Sequence, residues 1–302
     1  MTTRRHFLQA TAAVASLLAL PRSGRGQGKA ILIGETHPLT GPLAREGNLG
    51  KQGIALAVNE VNAAGGIRSM GGARLELMVL DNESKPPVAI STMERLADAG
   101  AVAVLGPYAS GIAFVTTQQA EKSRIPHLLD VAIADQITER GFRYTFRFSP
   151  TAGMGARQTV EYLGALARER KLGFKRVVLI HEDGLFGKAT ADTLQKLLPT
   201  IGMEVADRIP HSATAPSLAN EVLKIKAARA DVVMPSTYYP AHSLIVRTMA
   251  EQRVDAGAIL SVYGGAGSQY RFIKDVGKVA DYMLDGNHWY DPRHPGIKPA
   301  IA

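Results

Sequence analysis

Residues 102–133 read VAVLGPYASGIAFVTTQQAEKSRIPHLLDVAI, and this stretch decides the fold. Val102–Leu105 is a short continuous apolar run, the pattern of a strand covered on both faces. Gly106-Pro107 ends it, and Tyr108-Ala109-Ser110-Gly111 makes a small-residue turn in which Ser110 is placed to cap the helix that follows. Ile125–Leu129 then forms the next parallel strand. A helix that starts at the carboxyl end of a parallel strand presents unpaired backbone N–H groups and the positive end of its dipole. In open α/β sheets, ligands collect at that edge.

On both sides of this stretch strand and helix alternate. Ala30–Gly34 and Leu75–Leu80 read as strands. Gly50–Ala64 reads as an amphipathic helix with Ile54, Ala57, Val58 and Val61 on its core face, and Pro86–Ala99 as another helix. Phe142–Phe148 (FRYTFRF) alternates aromatic and polar residues and reads as a strand crossing between lobes. Beyond it the alternation resumes: Thr159–Arg170 helix, Arg176–His181 strand, Gly187–Leu198 helix, Glu204–Ile209 strand, Pro216–Ala228 helix, Asp231–Pro235 strand, Ala241–Arg253 helix, Ala258–Val262 strand and Gln269–Val276 helix. Such a rhythm implies right-handed βαβ units and parallel sheets, arranged as two α/β lobes of similar design joined by hinge strands.

With 302 residues, 46% of them hydrophobic and 21% charged, the chain is long enough for two domains. It contains no cysteine, which removes disulfides and thiolate metal or redox chemistry. Thr3-Arg4-Arg5-His6-Phe7-Leu8 matches the twin-arginine export pattern. The apolar run Ala10–Leu20 after it is shorter than the roughly 20 residues that span a bilayer. Residues 1–27 are therefore expected to be a cleaved signal peptide, leaving a periplasmic protein without stable membrane insertion. Residues 28–145 are expected to be lobe one and residues 146–286 lobe two. The formal charge of +8 includes Arg4, Arg5, Arg22 and Arg25 of the signal, so the mature chain carries +4, scattered among acids. That excludes a nucleic-acid footprint.

Catalytic signatures are missing from the sequence: there is no G-x-S-x-G, no P-loop and no H-E-x-x-H. Gly264-Gly265-Ala266-Gly267 reads as a flexible strand-to-helix turn, and His181-Glu182-Asp183 as a solvated loop facing the cleft. What recurs at strand ends is small and aromatic residues: Tyr108-Ala109-Ser110, Leu185-Phe186-Gly187 and Tyr238-Tyr239-Pro240. Aromatic faces with a few polar groups suit a small-molecule pocket. An α/β hydrolase-type enzyme is the competing class, and a triad converging on His181 would favour it.

PLTGPLAREG (38–47), NEVNAAGGI (59–67), LGPYASG (105–111), IPHLLDVA (125–132), IHEDGLFG (180–187), the ADVV…YYP run and DVGK…ADYML, in this order and spacing, resemble the Leu/Ile/Val-binding branch of periplasmic solute receptors. The resemblance covers residues 30–290 and implies a type I periplasmic binding fold: two lobes, a ligand in the cleft and hinge closure. It implies a non-enzymatic, monomeric receptor, without cofactor, that serves the membrane subunits of an ABC importer. A ligand sensor of the same fold acting in signalling is the alternative. By the same resemblance Ser110 takes the ligand carboxylate, Tyr108 and Ala109 neighbour it, and Val131 and Ile133 form the second contact loop. Phe186 falls where a tyrosine is usual, and Tyr238 or Tyr239 is an aromatic lid.

Three positions depart from the family pattern. Gly264 stands where amino-acid binders place a glutamate for the ammonium, Ile133 lacks an expected hydroxyl, and Glu46 replaces an aromatic. Glu46 or Asp130 is the candidate substitute partner for an ammonium. The expected ligand is accordingly a small organic acid or amide, ahead of leucine, isoleucine or valine. Family members also return to lobe one after about residue 286, so the Pro/Gly-rich tail 287–302 is expected to mark a C-terminal truncation.

Overall fold

The computed structural model describes residues 29–263, 266–281 and 283–286. The expected signal segment, the 287–302 tail and Gly264 lie outside the described residues. Two five-stranded sheets are present among the described residues. The first holds β1 (Ile31–His37), β2 (Leu75–Asp81), β3 (Ala103–Leu105), β4 (His127–Leu129) and β5 (Thr145–Arg147), in the order β2-β1-β3-β4-β5 and parallel throughout. Its helices are α1 (Ala44–Ala63), α2 (Pro86–Asp98) and α3 (Ser110–Ser123). The second holds β6 (Arg176–Glu182), β7 (Glu204–His211), β8 (Val232–Ser236), β9 (Ala258–Val262) and β10 (Leu284–Gly286), in the order β10-β9-β8-β6-β7, again parallel. Around it lie α4 (Ala152–Glu169), α5 (Leu185–Leu197), α6 (Ala219–Ala228), α7 (Tyr239–Glu251) and α8 (Tyr270–Val276).

Strand periodicity explains the second lobe. Side chains of β6 alternate between two cores. Val177 and Leu179 pack with Val160, Leu163 and Leu194 of α4 and α5, while Val178 and Ile180 pack with Val222, Ile225 and Ile245 of α6 and α7. All four strand residues are buried, each contributing about 1.5–3 kcal/mol of transfer free energy. In the first lobe the central strand buries one residue, Val104, which packs with Met93, Leu96 and Ala120, while Ala103 and Leu105 are half-buried. The flank is more open. α1 packs against β1 and β2, but its only buried residues are Glu46 and Gly47. The apolar stripe expected to enter the core is therefore at most half-buried: Ile54, Val58 and Val61 are intermediate and Ala57 is exposed.

Two expected elements differ. α1 begins at Ala44, not Gly50; Gly47 lies within it and packs closely against the preceding loop, where a Cβ would lie 2.0 Å from the Pro38 carbonyl oxygen. FRYTFRF is not a crossing strand. Only Thr145–Arg147 is extended, and it pairs parallel with β4 as the edge of the first sheet, so the chain crosses to α4 after it. The expected division between residues 145 and 146 falls inside that strand.

Candidate functional site

The carboxyl edges of the two sheets face one another. At the first, the strand β3 runs into Gly106, whose φ of +98° and close approach to Thr36 require glycine: a Cβ would lie 2.4 Å from the Thr36 carbonyl oxygen. This turn delivers α3. The N-cap position is taken by Ala109 in an extended conformation, and Ser110 is the first helical residue, so the helix starts one residue earlier than expected. Its side chain does not cap the helix. Instead Ser110 Oγ accepts the backbone N–H groups of Ile133 (3.2 Å) and Ala134 (3.3 Å). With both lone pairs engaged, the hydroxyl proton is the group left to donate. Ser110 and the loop after β4 thus form one unit at the helix N-terminus.

From the second lobe, Phe186 enters at the start of α5 and Tyr238 just before α7. The Tyr238 ring lies 5.7 Å from that of Tyr108 and 5.3 Å from that of Phe186, centroid to centroid. Burial raises the Tyr238 phenol well above its ordinary pKa, and its oxygen meets the backbone N–H of Ser110 across the cleft. The rings close down on a cavity of about 20 Å³ lined by Tyr108, Ser110, Val131, Ile133, Phe186, Tyr238 and Tyr263. Ala109 packs beside it in the same apolar cluster. Tyr239 faces elsewhere, into a cluster with Val246 and Phe272, and its hydroxyl donates to Asp275 (2.5 Å). Tyr263 was not foreseen. Its only local signal is its place directly after β9, where it adopts φ +56°.

Glu46 lies at the rim. It is in the first turn of α1, 7% exposed, and meets Arg271 of α8 (3.4 Å) and Gln269 (3.5 Å) from the second lobe. Arg45 donates to Gln269 at 2.9 Å. The Arg271 guanidinium rests 3.4 Å over the Tyr239 ring. Arg271 and Gln269 are further residues that sequence reading missed.

Below the first wall is a buried ionic network. His37, at the end of β1, places Nδ1 3.0 Å from Glu35 and Nε2 2.9 Å from Asp130. Burial alone would lower its pKa, but the hydrogen bonds from Asp130 and Glu35 outweigh it and hold His37 at about 9. Both ring nitrogens therefore donate at neutral pH. Asp130 Oδ1 accepts the Val131 N–H at 2.8 Å, which ties this network to the loop that serves Ser110.

His181 and Glu182 are buried, not a solvated loop, because β6 continues through them. Glu182 accepts N–H groups from Gly184 (2.5 Å) and Gly187 (2.7 Å), so its carboxylate satisfies the start of α5; burial nevertheless raises its pKa. His181 shares Nδ1 with the Glu182 carbonyl (2.7 Å), and its Nε2 accepts from Arg208 (3.1 Å). With those partners the ring is a structural one. Among the described residues no group of His, Asp and Glu is arranged to hold a metal ion.

Two parallel-sheet lobes whose facing edges combine a helix N-terminus, a serine and aromatic walls define a cleft-type small-molecule binding protein. The comparisons with known proteins agree. Residues 30–298 match the family described as periplasmic binding protein, and the chain belongs to that family, with the type I periplasmic binding fold. It is 28% identical over 265 residues to Leu/Ile/Val-binding protein homolog 8 of Brucella abortus (strain 2308), covering 85% of this chain and 62% of that protein. The chain thus spans under two thirds of that relative's length. The branched-chain amino acid transporter substrate-binding protein LivJ of Streptococcus pneumoniae, solved in complex with isoleucine, is 25% identical with a TM-score of 0.70, covering 82% of this chain and 68% of that one. The leucine-binding protein LivK of Thermotoga maritima shares the fold at a TM-score of 0.77 and 21% identity, covering 90% of this chain and 74% of that one.

Proposed function

We propose that the chain is an extracytoplasmic, non-catalytic solute receptor. It takes a small carboxylate or amide into the cleft between its lobes, closes over it and delivers it to the membrane subunits of an ABC importer. One observation carries this reading: Ser110 at the N-terminus of α3, with both acceptor sites occupied and its proton free to donate, opposite Phe186 and Tyr238. An anion there gains the hydroxyl, first-turn N–H groups and the helix dipole. Family membership and the isoleucine complex of the LivJ relative support the same use of the cleft.

The cavity of about 20 Å³ is far below the about 300–1,000 Å³ of ordinary ligand pockets. Tyr238 must therefore withdraw from Ser110 as the solute enters, and the carboxylate replaces its phenol oxygen there. Lobe separation supplies that movement. Export by the twin-arginine route through Arg4 and Arg5 is part of the same proposal.

The test is calorimetric titration with leucine, phenylalanine, 4-methylpentanoate, 3-phenylpropanoate and 4-methylpentanamide. Ser110→Ala should weaken carboxylate binding by about 1.5–3 kcal/mol, roughly ten- to hundred-fold. Carboxylate affinities unaltered by that substitution would refute the assignment of Ser110.

A further inference from the structure

Tyr263 belongs to two spaces. It lines the small cavity beside Ser110, and it also lines a groove of about 660 Å³ on the second lobe. The groove runs between α4 and the β9–β10 edge of the sheet, past Gly155, Thr159, Leu163, Leu260 and Leu284. Among the described residues Tyr263 alone lines both. The packing shows the same division. Tyr263 sits against the second-lobe core of Val160, Leu163 and Leu260, and also against the cleft cluster of Ile133, Phe186 and Tyr238. The cleft cavity of about 20 Å³ is too small for a solute, whereas the groove falls inside the range of roughly 300–1,000 Å³ typical of ligand pockets.

Tyr263 is held by its backbone. Its N–H donates to the Gly286 carbonyl of β10 at 2.7 Å, and its φ is +56°. The ring lies directly on the bare backbone of Gly155 in α4, where a Cβ would fall 1.1 Å from Cε2. Glycine leaves no side chain there to wedge the ring. A change of rotamer at Tyr263 moves the shared wall while the backbone stays paired to β10.

We propose that this groove is the tail compartment of the solute site and that Tyr263 is its gate. The proposal rests on the carboxylate-receptor reading above. Ser110 and the α3 terminus hold the carboxylate, and the distal apolar group of the solute passes the Tyr263 ring into the space between α4 and β10. The solute class is then a monocarboxylate with an extended alkyl or aryl tail, and lobe two reads the length of that tail.

Calorimetric titration of butanoate, hexanoate and octanoate into the full chain, with the groove open or plugged, tests this. The plug is Gln158→Cys, an exposed groove residue turned into the chain's sole cysteine, either free or carrying a bulky maleimide adduct attached after folding. Each methylene taken out of water should tighten binding up to about fourfold, so octanoate should exceed butanoate by about tenfold or more in the wild type and in unmodified Gln158→Cys. The adduct should remove most of that gain and leave butanoate within about twofold, which a general folding defect would not do. Tyr263→Ala removes the gate and should tighten octanoate several-fold more than butanoate. Equal affinity across the series overturns the proposal, and so does a gain that the adduct leaves intact, which would mean that the groove is covered otherwise. An octanoate preference unmoved by Tyr263→Ala overturns the gate. In each of these cases loss of butanoate affinity in Ser110→Ala keeps the receptor reading, and binding of no member overturns both.

Discussion

Raising the pH should destabilise this protein through one residue, His37. Its pKa stands at about 9 in the folded chain against 6.5 for an ordinary histidine. The folded state therefore holds a proton that the unfolded chain releases. The resulting stabilisation is fully present below pH 6.5 and is lost as the pH rises through about 9, and the shift corresponds to about 3 kcal/mol. For a domain stable by about 5–15 kcal/mol that is a large share. Urea unfolding followed by circular dichroism at half-unit steps from pH 6 to 9.5 measures it. The difference between wild type and His37→Gln isolates the residue. The variant should lack the alkaline decline and be weaker near pH 7, because Glu35 and Asp130 lose their buried cation. Equal slopes in the two proteins between pH 7 and 9 would refute the assignment of the proton to His37. On the acid side the sign reverses. Burial pushes His127 and His242 down to about 4, so their contribution is present above pH 6.5 and is lost as the pH falls toward 4. Maximum stability should therefore lie near pH 6.5.

Two other substitutions have defined outcomes. Gly187→Ala places a Cβ 2.4 Å from the Glu182 carbonyl oxygen, so α5 must shift from β6; a loss of about 1–3 kcal/mol and a thermal midpoint lower by several degrees are expected. Gly53→Ala, with nothing within 4 Å of its Cβ, should be neutral or stabilising by up to about 1 kcal/mol, and the reverse order of the two midpoints would contradict the packing. Arg4→Lys/Arg5→Lys should hold the precursor in the cytoplasm, because a receptor-read address is not met by charge alone. Undiminished periplasmic accumulation on fractionation would count against the twin-arginine route.

The sequence made the alternation of elements legible because buried parallel strands such as Val177–Ile180 are continuous apolar runs bounded by turn residues. The start of α3 was legible to within one residue from the small-residue turn Tyr108–Gly111, although Ala109 and not Ser110 takes the cap. What it hid depends on long-range contact. The first turns of α1 were missed because the contact of Gly47 with Pro38 that packs them is tertiary. His181-Glu182-Asp183 looked solvated because polar residues at a strand end usually are; nothing local shows that Glu182 serves the amides of Gly184 and Gly187. Pairing of His37 with Asp130 joins residues 93 apart in sequence, and that of Glu46 with Arg271 joins residues 225 apart. No periodicity or short motif encodes such pairs. Tyr263 was missed because a single aromatic beside a glycine run carries no pattern, although its backbone turn sets it into the cavity wall.

Cleft closure on a bound carboxylate is the central claim, and the absence of native cysteine makes it directly measurable. Gln52→Cys on α1 and Lys274→Cys on α8 are exposed positions on opposite lobes. Spin labels there report the interlobe distance by pulsed electron resonance, without and with a saturating member of the titration panel. The expected result is a shorter and narrower distance distribution on binding. An unchanged distribution at saturation would contradict the closing-receptor account.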